Sequence, residues 1–346
     1  MRRLSEHRGR DRRGGRPMSG HSFQYSRAAN VDDARLQASR PGTAFLAGGT
    51  DLLQLWKSGA MTPAAVVDIS RLPLDDVEFT DGQLSLGALA RLSDVATHLD
   101  VRRYHPLIAE AILASASGQI RNMATIGGNL LQRTRCPYFR NEQLACNKRK
   151  PGSGCGALSG ENRQAALFGT SPSCVATHAS DLAVALAALD AEVEVLGSEG
   201  ERRVPLRDLY RLPGETPEHE TNLAPGELIT GVHVPDATCF AGCSTYLKIR
   251  DRASFEFAIV SVAAALQIEN GRIVTARLAA GGVAPLPWRL DRTEAALAGR
   301  ALDAQAIAAA GEMAVEHARP LADNRFKVAL LRNAVIRALQ TLGSRS

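Results

Sequence analysis

Aromatic side chains are scarce in this chain of 346 residues: Phe, Trp and Tyr make up 5%, and only two tryptophans are present. No stretch interleaves aromatics with basic residues, which argues against a nucleic-acid surface. No apolar run approaches the roughly 20 residues a bilayer span needs, so a membrane-spanning helix is excluded. Neither G-x-G-x-x-G nor G-x-x-x-x-G-K-[ST] occurs, and the Rossmann and P-loop nucleotide folds lose their support. H-E-x-x-H is missing, and no Ser/His/Asp arrangement stands out among the scattered histidines. The tight C-x₂₋₄-C knuckles of structural zinc sites are absent, and there is no internal repeat.

What is present is ordinary globular material, 45% hydrophobic and 22% charged. That length and composition predict two or three domains with a core that needs no disulfide or metal staple. The formal net charge of +5 is concentrated at the start. Arg2, Arg3, Arg8, Arg10, Arg12, Arg13 and Arg16 face only Glu6 and Asp11 there, so the remainder is near neutral. No apolar segment follows them, and the stretch is not by itself a secretory or twin-arginine signal. Two readings stay open: a disordered basic tail over residues 1–20, or a native start at Met18.

Hydrophobic periodicity outlines the rest. Thr43 to Ala47 reads as a short strand, Leu52 to Trp56 as a helix and Ala65 to Ile69 as a buried strand. Residues 83–92 begin as a strand, and 106–116 read as an apolar helix. Residues 132–173 are polar, basic, rich in Gly and Cys, and aperiodic. A compact domain seldom tolerates a loop of that length unless something holds it. Order resumes with a helix over 182–190 and strands near 191–195 and 226–235, and residues 236–243 look like a linker. The last hundred residues read as a separate unit: strands over 244–250 and 259–268, an Asn270-Gly271 hairpin turn, a strand over 272–278, and Ala-rich helices near 292–298, 303–317 and 323–342.

Three features carry chemistry. Gly48-Gly49-Thr50 sits between a strand and a helix, where glycines let backbone N–H groups approach an anion. A second pair, Gly127-Gly128-Asn129, follows Thr125. Either pair alone is most simply a tight turn; together, each after an apolar segment, they fit a ligand with a long diphosphate spine. Asp51 and Asp181 read as helix caps before they read as ligands for a hydroxyl. The third feature is the series Cys136-x₉-Cys146-x₈-Cys155-x₁₈-Cys174, four of only six cysteines. The spacing is unlike the common ferredoxin runs, yet four thiolates from one irregular loop can complete a Cys₄ site for zinc or an iron–sulfur cluster. Lys148, Arg149 and Lys150 lie between the ligands and would offset their negative charge. Cys239 and Cys243 read as core or linker thiols, and His178, four residues past Cys174, as a structural histidine.

The run Phe45-Leu46-Ala47-Gly48-Gly49-Thr50-Asp51-Leu52, the run Gln119 to Asn129, and Ser180-Asp181 resemble the flavin (medium) subunit of the xanthine dehydrogenase family. The resemblance covers the chain after about His21. It implies an α+β fold: a two-subdomain FAD-binding unit of the vanillyl-alcohol-oxidase/p-cresol-methylhydroxylase type over 21–235, then a C-terminal α+β flavoprotein domain over 240–346. Residues Thr43, Ala44, Phe45, Leu46, Ala47, Gly48, Gly49, Thr50 and Asp51, with Thr125, Gly127, Gly128 and Asn129, would then cradle the diphosphate. Asp181 would bond the flavin side, Ile229 would lie near the isoalloxazine, and Lys248 would approach its polar edge. In typical members Asn129 and Ser180 would be a few residues apart; here about fifty intervene, and they hold all four clustered cysteines. A comparable insertion, here over 132–175, carries a [4Fe–4S] cluster in the flavin subunits of 4-hydroxybenzoyl-CoA reductase and of the bacterial three-subunit molybdenum aldehyde oxidoreductase. The text from Gln132 to Arg140 is most similar to the latter. The resemblance further implies a heterotrimer: a small [2Fe–2S] subunit that passes electrons to FAD, a large molybdopterin subunit that oxidises an aldehyde or heterocycle, and an external acceptor. A flavin subunit of the xanthine or carbon monoxide dehydrogenase type, or of the hydroxybenzoyl-CoA reductase type, with a structural metal site such as zinc in the insert is the rival. The compartment is open, and the periplasm is expected only if a partner carries a twin-arginine signal.

Overall fold

The computed structural model describes residues 23–344; the basic tail expected over 1–20 lies outside them. The first subdomain runs β1 (Gln24–Arg27), α1 (Val31–Ala38), β2 (Thr43–Leu46), α2 (Leu52–Lys57) and β3 (Ala65–Asp68). Its three strands form a parallel sheet in the order β1-β3-β2. Asn30 caps α1 by accepting from the Asp33 N–H at 2.8 Å. Ala28, Ala34, Val67 and Ile69 close its small core against Phe45.

The second subdomain opens with β4 (Val77–Thr80), β5 (Gln83–Gly87) and a run of helices: α3 (Leu92–Thr97), α4 (Leu99–Tyr104), α5 (Pro106–Ala114), α6 (Gly118–Arg121) and α7 (Ile126–Leu130). Helix α3 has Arg91 at its N-cap position and no side-chain cap; Ser93 and Asp94, which its sequence offers as caps, lie within its first turn. After a mostly irregular stretch containing α8 (Pro137–Arg140), the fold resumes with α9 (Asp181–Ala188), β6 (Glu192–Gly197), β7 (Gly200–Pro205), α10 (Leu206–Leu209) and β8 (Leu228–Val234). These strands make a five-stranded antiparallel sheet ordered β4-β5-β8-β6-β7. Strand β6 alternates, burying Val193 and Val195, as a sheet with one covered face requires.

The C-terminal unit has β9 (Ser244–Ile249), β10 (Val260–Glu269), β11 (Arg272–Gly281), β12 (Trp288–Arg289), α11 (Asp291–Leu297), α12 (Ala304–Ala314) and α13 (Phe326–Gly343). Asn270 (φ 50°) and Gly271 (φ 73°) both adopt the left-handed conformation that a two-residue hairpin turn between β10 and β11 needs. The faces of β10 serve two cores. Ala263 and Ala265 join the core built by α5 and α9, while Val262, Ala264 and Leu266 pack with Leu331, Val335 and Leu339 of α13. The sheet is thus sandwiched between the second subdomain and its own helices, and Phe240, in the segment read as a linker, belongs to the first of these cores.

Candidate flavin cleft and cysteine cage

The first Gly-Gly turn follows β2 and enters α2. Gly49 has φ +69°, and a Cβ on Gly48 would lie 1.9 Å from the Met123 carbonyl oxygen. The turn therefore passes directly against the backbone just ahead of the second Gly-Gly element. That element is the start of α7, where Thr125 caps Gly128 N–H at 3.3 Å and Gly127 N–H donates to the Ala88 carbonyl at 2.8 Å. Sequence-distant turns are brought together by this backbone contact, which no side chain larger than hydrogen at residue 48 would permit.

Both turns line one cavity of about 230 Å³, together with Ala44, Phe45, Ala47, Thr125 and Ile229. Thr50, Asp51 and Gly128 also line a second cavity of about 350 Å³, so the two adjoin. Asn129 and Asp181 border this second space. Thr43 and Leu46 border neither: the Thr43 hydroxyl is sealed off without a hydrogen-bond partner, and Leu46 packs under Gly49. Ile229 and Lys248 do not share a cavity wall. Lys248 is buried behind Asp181, at 2.7 Å from its carboxylate, and also donates to the Ala114 carbonyl at 3.1 Å. Tyr246 donates to the other carboxylate oxygen at 2.7 Å. Burial pushes the Asp181 carboxyl above its ordinary range, and the Lys248 ammonium pulls against it.

The capping roles expected of the two aspartates are overturned. Ser180, not Asp181, caps α9, accepting from the Ala183 N–H at 2.9 Å. Its hydroxyl also donates to Asn129 Oδ1 at 2.5 Å, stapling together the two ends of the cysteine-bearing insertion. Asp51 occupies the N-cap position of α2 but makes no cap bond. Its carboxylate instead accepts from the Arg133 N–H at 2.8 Å, from Arg140 Nη2 at 2.8 Å and from Arg135. All three donors belong to the insertion. Burial raises the Asp51 carboxyl, opposed first by Arg140.

The insertion has little regular structure: α8, a 3₁₀ turn at Gly156–Leu158 and two isolated bridges, Cys146 with Cys155 and Ser171 with Cys174. Its four cysteines are free thiols, and all four border one small cavity of about 10 Å³, walled also by Tyr138, Phe139, Ala157 and Val175. Among the described residues no three His, Cys, Asp or Glu groups draw together as around a single metal ion. The residues bordering this space nonetheless include four soft sulfur donors, a set that suits zinc or an iron–sulfur cluster alike. Burial pushes the Cys136 thiol up and the Cys174 thiol up to about 11, so thiolates here need a compensating charge. Lys148 opposes the shift at Cys174; its amine bonds Glu220 at 2.7 Å and the Pro217 carbonyl at 2.9 Å. Arg149 is engaged with the backbone between the first two cysteines. Its guanidinium binds the carbonyls of Tyr138 (2.6 Å), Phe139 (2.8 Å), Glu142 (3.2 Å) and Leu144. Lys150 is exposed. His178 is a half-buried ring whose pKa desolvation lowers to about 4, with an edge on Tyr210.

A third cavity of about 310 Å³ links the parts. It shares Arg135, Asp181, Glu256 and Phe257 with the second cavity and Cys136 and Tyr138 with the cysteine cage. Sequence reading missed Tyr246, Arg135 and Arg140. The arginines were visible as a basic run beside Cys136, but nothing local marked Asp51 as their partner.

Comparison with known proteins places this geometry. Residues 21–237 match the FAD binding domain in molybdopterin dehydrogenase, and residues 245–342 match the CO dehydrogenase flavoprotein C-terminal domain. The chain is 47% identical over 321 residues to the aldehyde oxidoreductase FAD-binding subunit PaoB of Escherichia coli, covering 92% of this chain and 97% of that one. It is 28% identical to the glyceraldehyde dehydrogenase medium chain of Sulfolobus acidocaldarius, covering 88% and 90%. The fold superimposes on a carbon monoxide dehydrogenase chain from Hydrogenophaga pseudoflava with a TM-score of 0.73, at 24% identity, over 93% of this chain and 98% of that one.

Proposed function

This chain belongs to the FAD-binding subunits of the molybdenum hydroxylase family, and from that membership we propose that it is the FAD- and [4Fe–4S]-binding electron-transfer subunit of an aldehyde oxidoreductase. In this reading a small partner with [2Fe–2S] centres delivers electrons taken from substrate by a large molybdopterin partner. The chain passes them to an external acceptor and performs no bond-making on the organic substrate. Its FAD-binding unit spans 21–235, with the insertion over 132–175, and its C-terminal domain spans 240–346.

The observation that carries the proposal is continuity. Two Gly-Gly turns, Asn129 and Asp181 converge on adjoining cavities, and one further cavity joins that cleft to the wall of a four-cysteine cage. Bound FAD would supply one- and two-electron exchange; the protein supplies binding, orientation and electrostatics. The backbone of Gly48-Gly49-Thr50 and Thr125 to Asn129 would lie along the diphosphate. Tyr246 and Lys248 each donate to one oxygen of the Asp181 carboxylate and fix its orientation at the cavity wall, where it would meet the flavin side of the cofactor. Cys136, Cys146, Cys155 and Cys174 would hold the cluster, with Lys148 beside Cys174. The 47% identity to an aldehyde oxidoreductase subunit supports the substrate class.

The test is analytical. The purified full chain is denatured, and its released flavin, iron, acid-labile sulfide and zinc are measured. FAD with iron and sulfide in equal amounts is the expected result. Zinc without sulfide overturns the cluster assignment, and a chain that takes up no FAD overturns the reading as a whole.

A further inference from the structure

The Asp51 carboxylate lies in the first Gly-Gly turn, yet every donor it accepts from lies in the insertion: Arg133 N–H, Arg135 and Arg140. The same segment carries Cys136. Arg135 precedes it, and Arg140 closes the short helix that Cys136 caps. Arg140 also ties the segment to itself, through Nε to the Thr134 carbonyl at 3.0 Å and Nη2 to the Arg133 carbonyl at 3.2 Å. One stretch of eight residues thus presents a thiol to the cage on one side and two guanidinium groups to the flavin turn on the other.

The charged wall residues of the second cavity balance, Arg135, Arg140 and Arg252 against Asp51, Asp181 and Glu256, but the Lys248 ammonium behind Asp181 adds one positive charge to this neighbourhood. Of the wall residues, Asp181 is paired with Lys248 and Arg252 with Glu256. Arg135 and Arg140 are left sharing the single carboxylate of Asp51. One positive charge is in excess beside two turns whose backbone suits an anion. We propose that the Asp51–Arg135–Arg140 clamp makes the insertion part of the flavin site, so that an assembled cluster and bound FAD each tighten the chain's hold on the other. This rests on the function proposed above. Coupling of this kind is reciprocal by thermodynamic necessity: a cluster that orders Cys136 pre-organises the clamp, and a diphosphate that uses the surplus charge orders the segment bearing Cys136.

The experiment measures FAD affinity on the full chain stripped of flavin, by quenching of flavin fluorescence. It compares chain with its cluster intact and chain from which iron has been removed by oxidation and chelation. Wild type, Asp51→Asn and Arg140→Gln are titrated in parallel, with iron content recorded for each sample. Cluster removal is expected to weaken FAD binding by about tenfold or more in wild type. In Asp51→Asn the affinity should already be reduced, and cluster removal should change it little further, the non-additivity that marks two groups acting as one unit. Arg140→Gln serves the same purpose if Asp51→Asn does not fold. An FAD affinity that stays within about twofold on cluster removal overturns the coupling while leaving the FAD assignment intact, as do variant and cluster effects that simply add. A chain that binds no FAD in either form, or never contains sulfide, overturns the underlying function as well.

Discussion

Asp181 and Lys248 face each other at 2.7 Å with side chains only 5% and 3% exposed. Removing one member of such a pair strands the other charge in the interior, at a cost of roughly 3–5 kcal/mol. Asp181→Asn should therefore lower the urea midpoint strongly, and Lys248→Met in the same chain should restore part of the loss; a midpoint unchanged by Asp181→Asn would mean the pair is solvated. Glycine at residue 48 answers to geometry alone. A methyl there meets a carbonyl oxygen at 1.9 Å, whereas one on Gly118 meets nothing within 4 Å. Gly48→Ala should destabilise by about 2 kcal/mol or more through backbone displacement and weaken FAD binding, while Gly118→Ala should stay within about 1 kcal/mol of wild type. Comparable stabilities for the two variants in chemical denaturation would contradict the close approach of the two turns.

At the level of elements, the insertion is the unusual one, because so little of it is helix or strand. Arg149 substitutes for regular structure by gathering carbonyls from residues 138–144, between Cys136 and Cys146. Cys146→Ser should reduce iron and sulfide to near background, and Cys239→Ser, at an exposed cysteine outside the cage, should leave both unchanged. Equal metal content in the two would remove Cys146 from the ligand set. The β10–β11 hairpin behaves conventionally. Its turn residues were legible because a left-handed pair at two adjacent positions favours Asn-Gly over nearly any other dipeptide. The strand registers follow from that turn and from alternation. The aperiodicity of residues 132–173 was equally legible, but what holds them was not, since arginine–carbonyl contacts leave no periodic trace.

For the whole molecule, the insertion also binds the C-terminal unit. Lys327 Nζ reaches the carbonyls of Ala165 (2.9 Å) and Gly282 (2.5 Å), and Asn324 Nδ2 reaches that of Ala165 (2.9 Å). Burial lowers the Lys327 amine to about 7. A global pH dependence arises elsewhere, at His105, which is 2% exposed and lowered by desolvation to about 4 from 6.5. Its folded pKa lies below its unfolded value, so between these two pH values the unfolded chain binds the extra proton. The associated stability is complete above about pH 6.5 and is lost as pH falls toward 4. At about pH 5 the loss from His105 is about 2 kcal/mol, and His105→Gln should remove that share of the profile in urea unfolding measured at several pH values, leaving the share of His178, which desolvation lowers in the same way. A wild-type midpoint that does not fall between about pH 7 and pH 5 would place a charged, solvated imidazole at this position.

By itself the sequence determined the local chemistry of this protein: which turns need glycine, where strands alternate, where the hairpin reverses, and which four cysteines are candidates to act together. Each of these depends on neighbours within a few residues, where backbone sterics and side-chain period decide the outcome. The tertiary structure alone decided which of these parts meet. Of the Ser180-Asp181 pair that could cap the helix, Ser180 took the cap, which left the Asp181 carboxylate for Lys248 and Tyr246. Asp51 lay open to either role until residues 82 to 89 positions further along the chain folded back onto it. A buried carboxylate takes whichever cations the packing brings within reach, and that choice is made by the assembled core rather than by the local text.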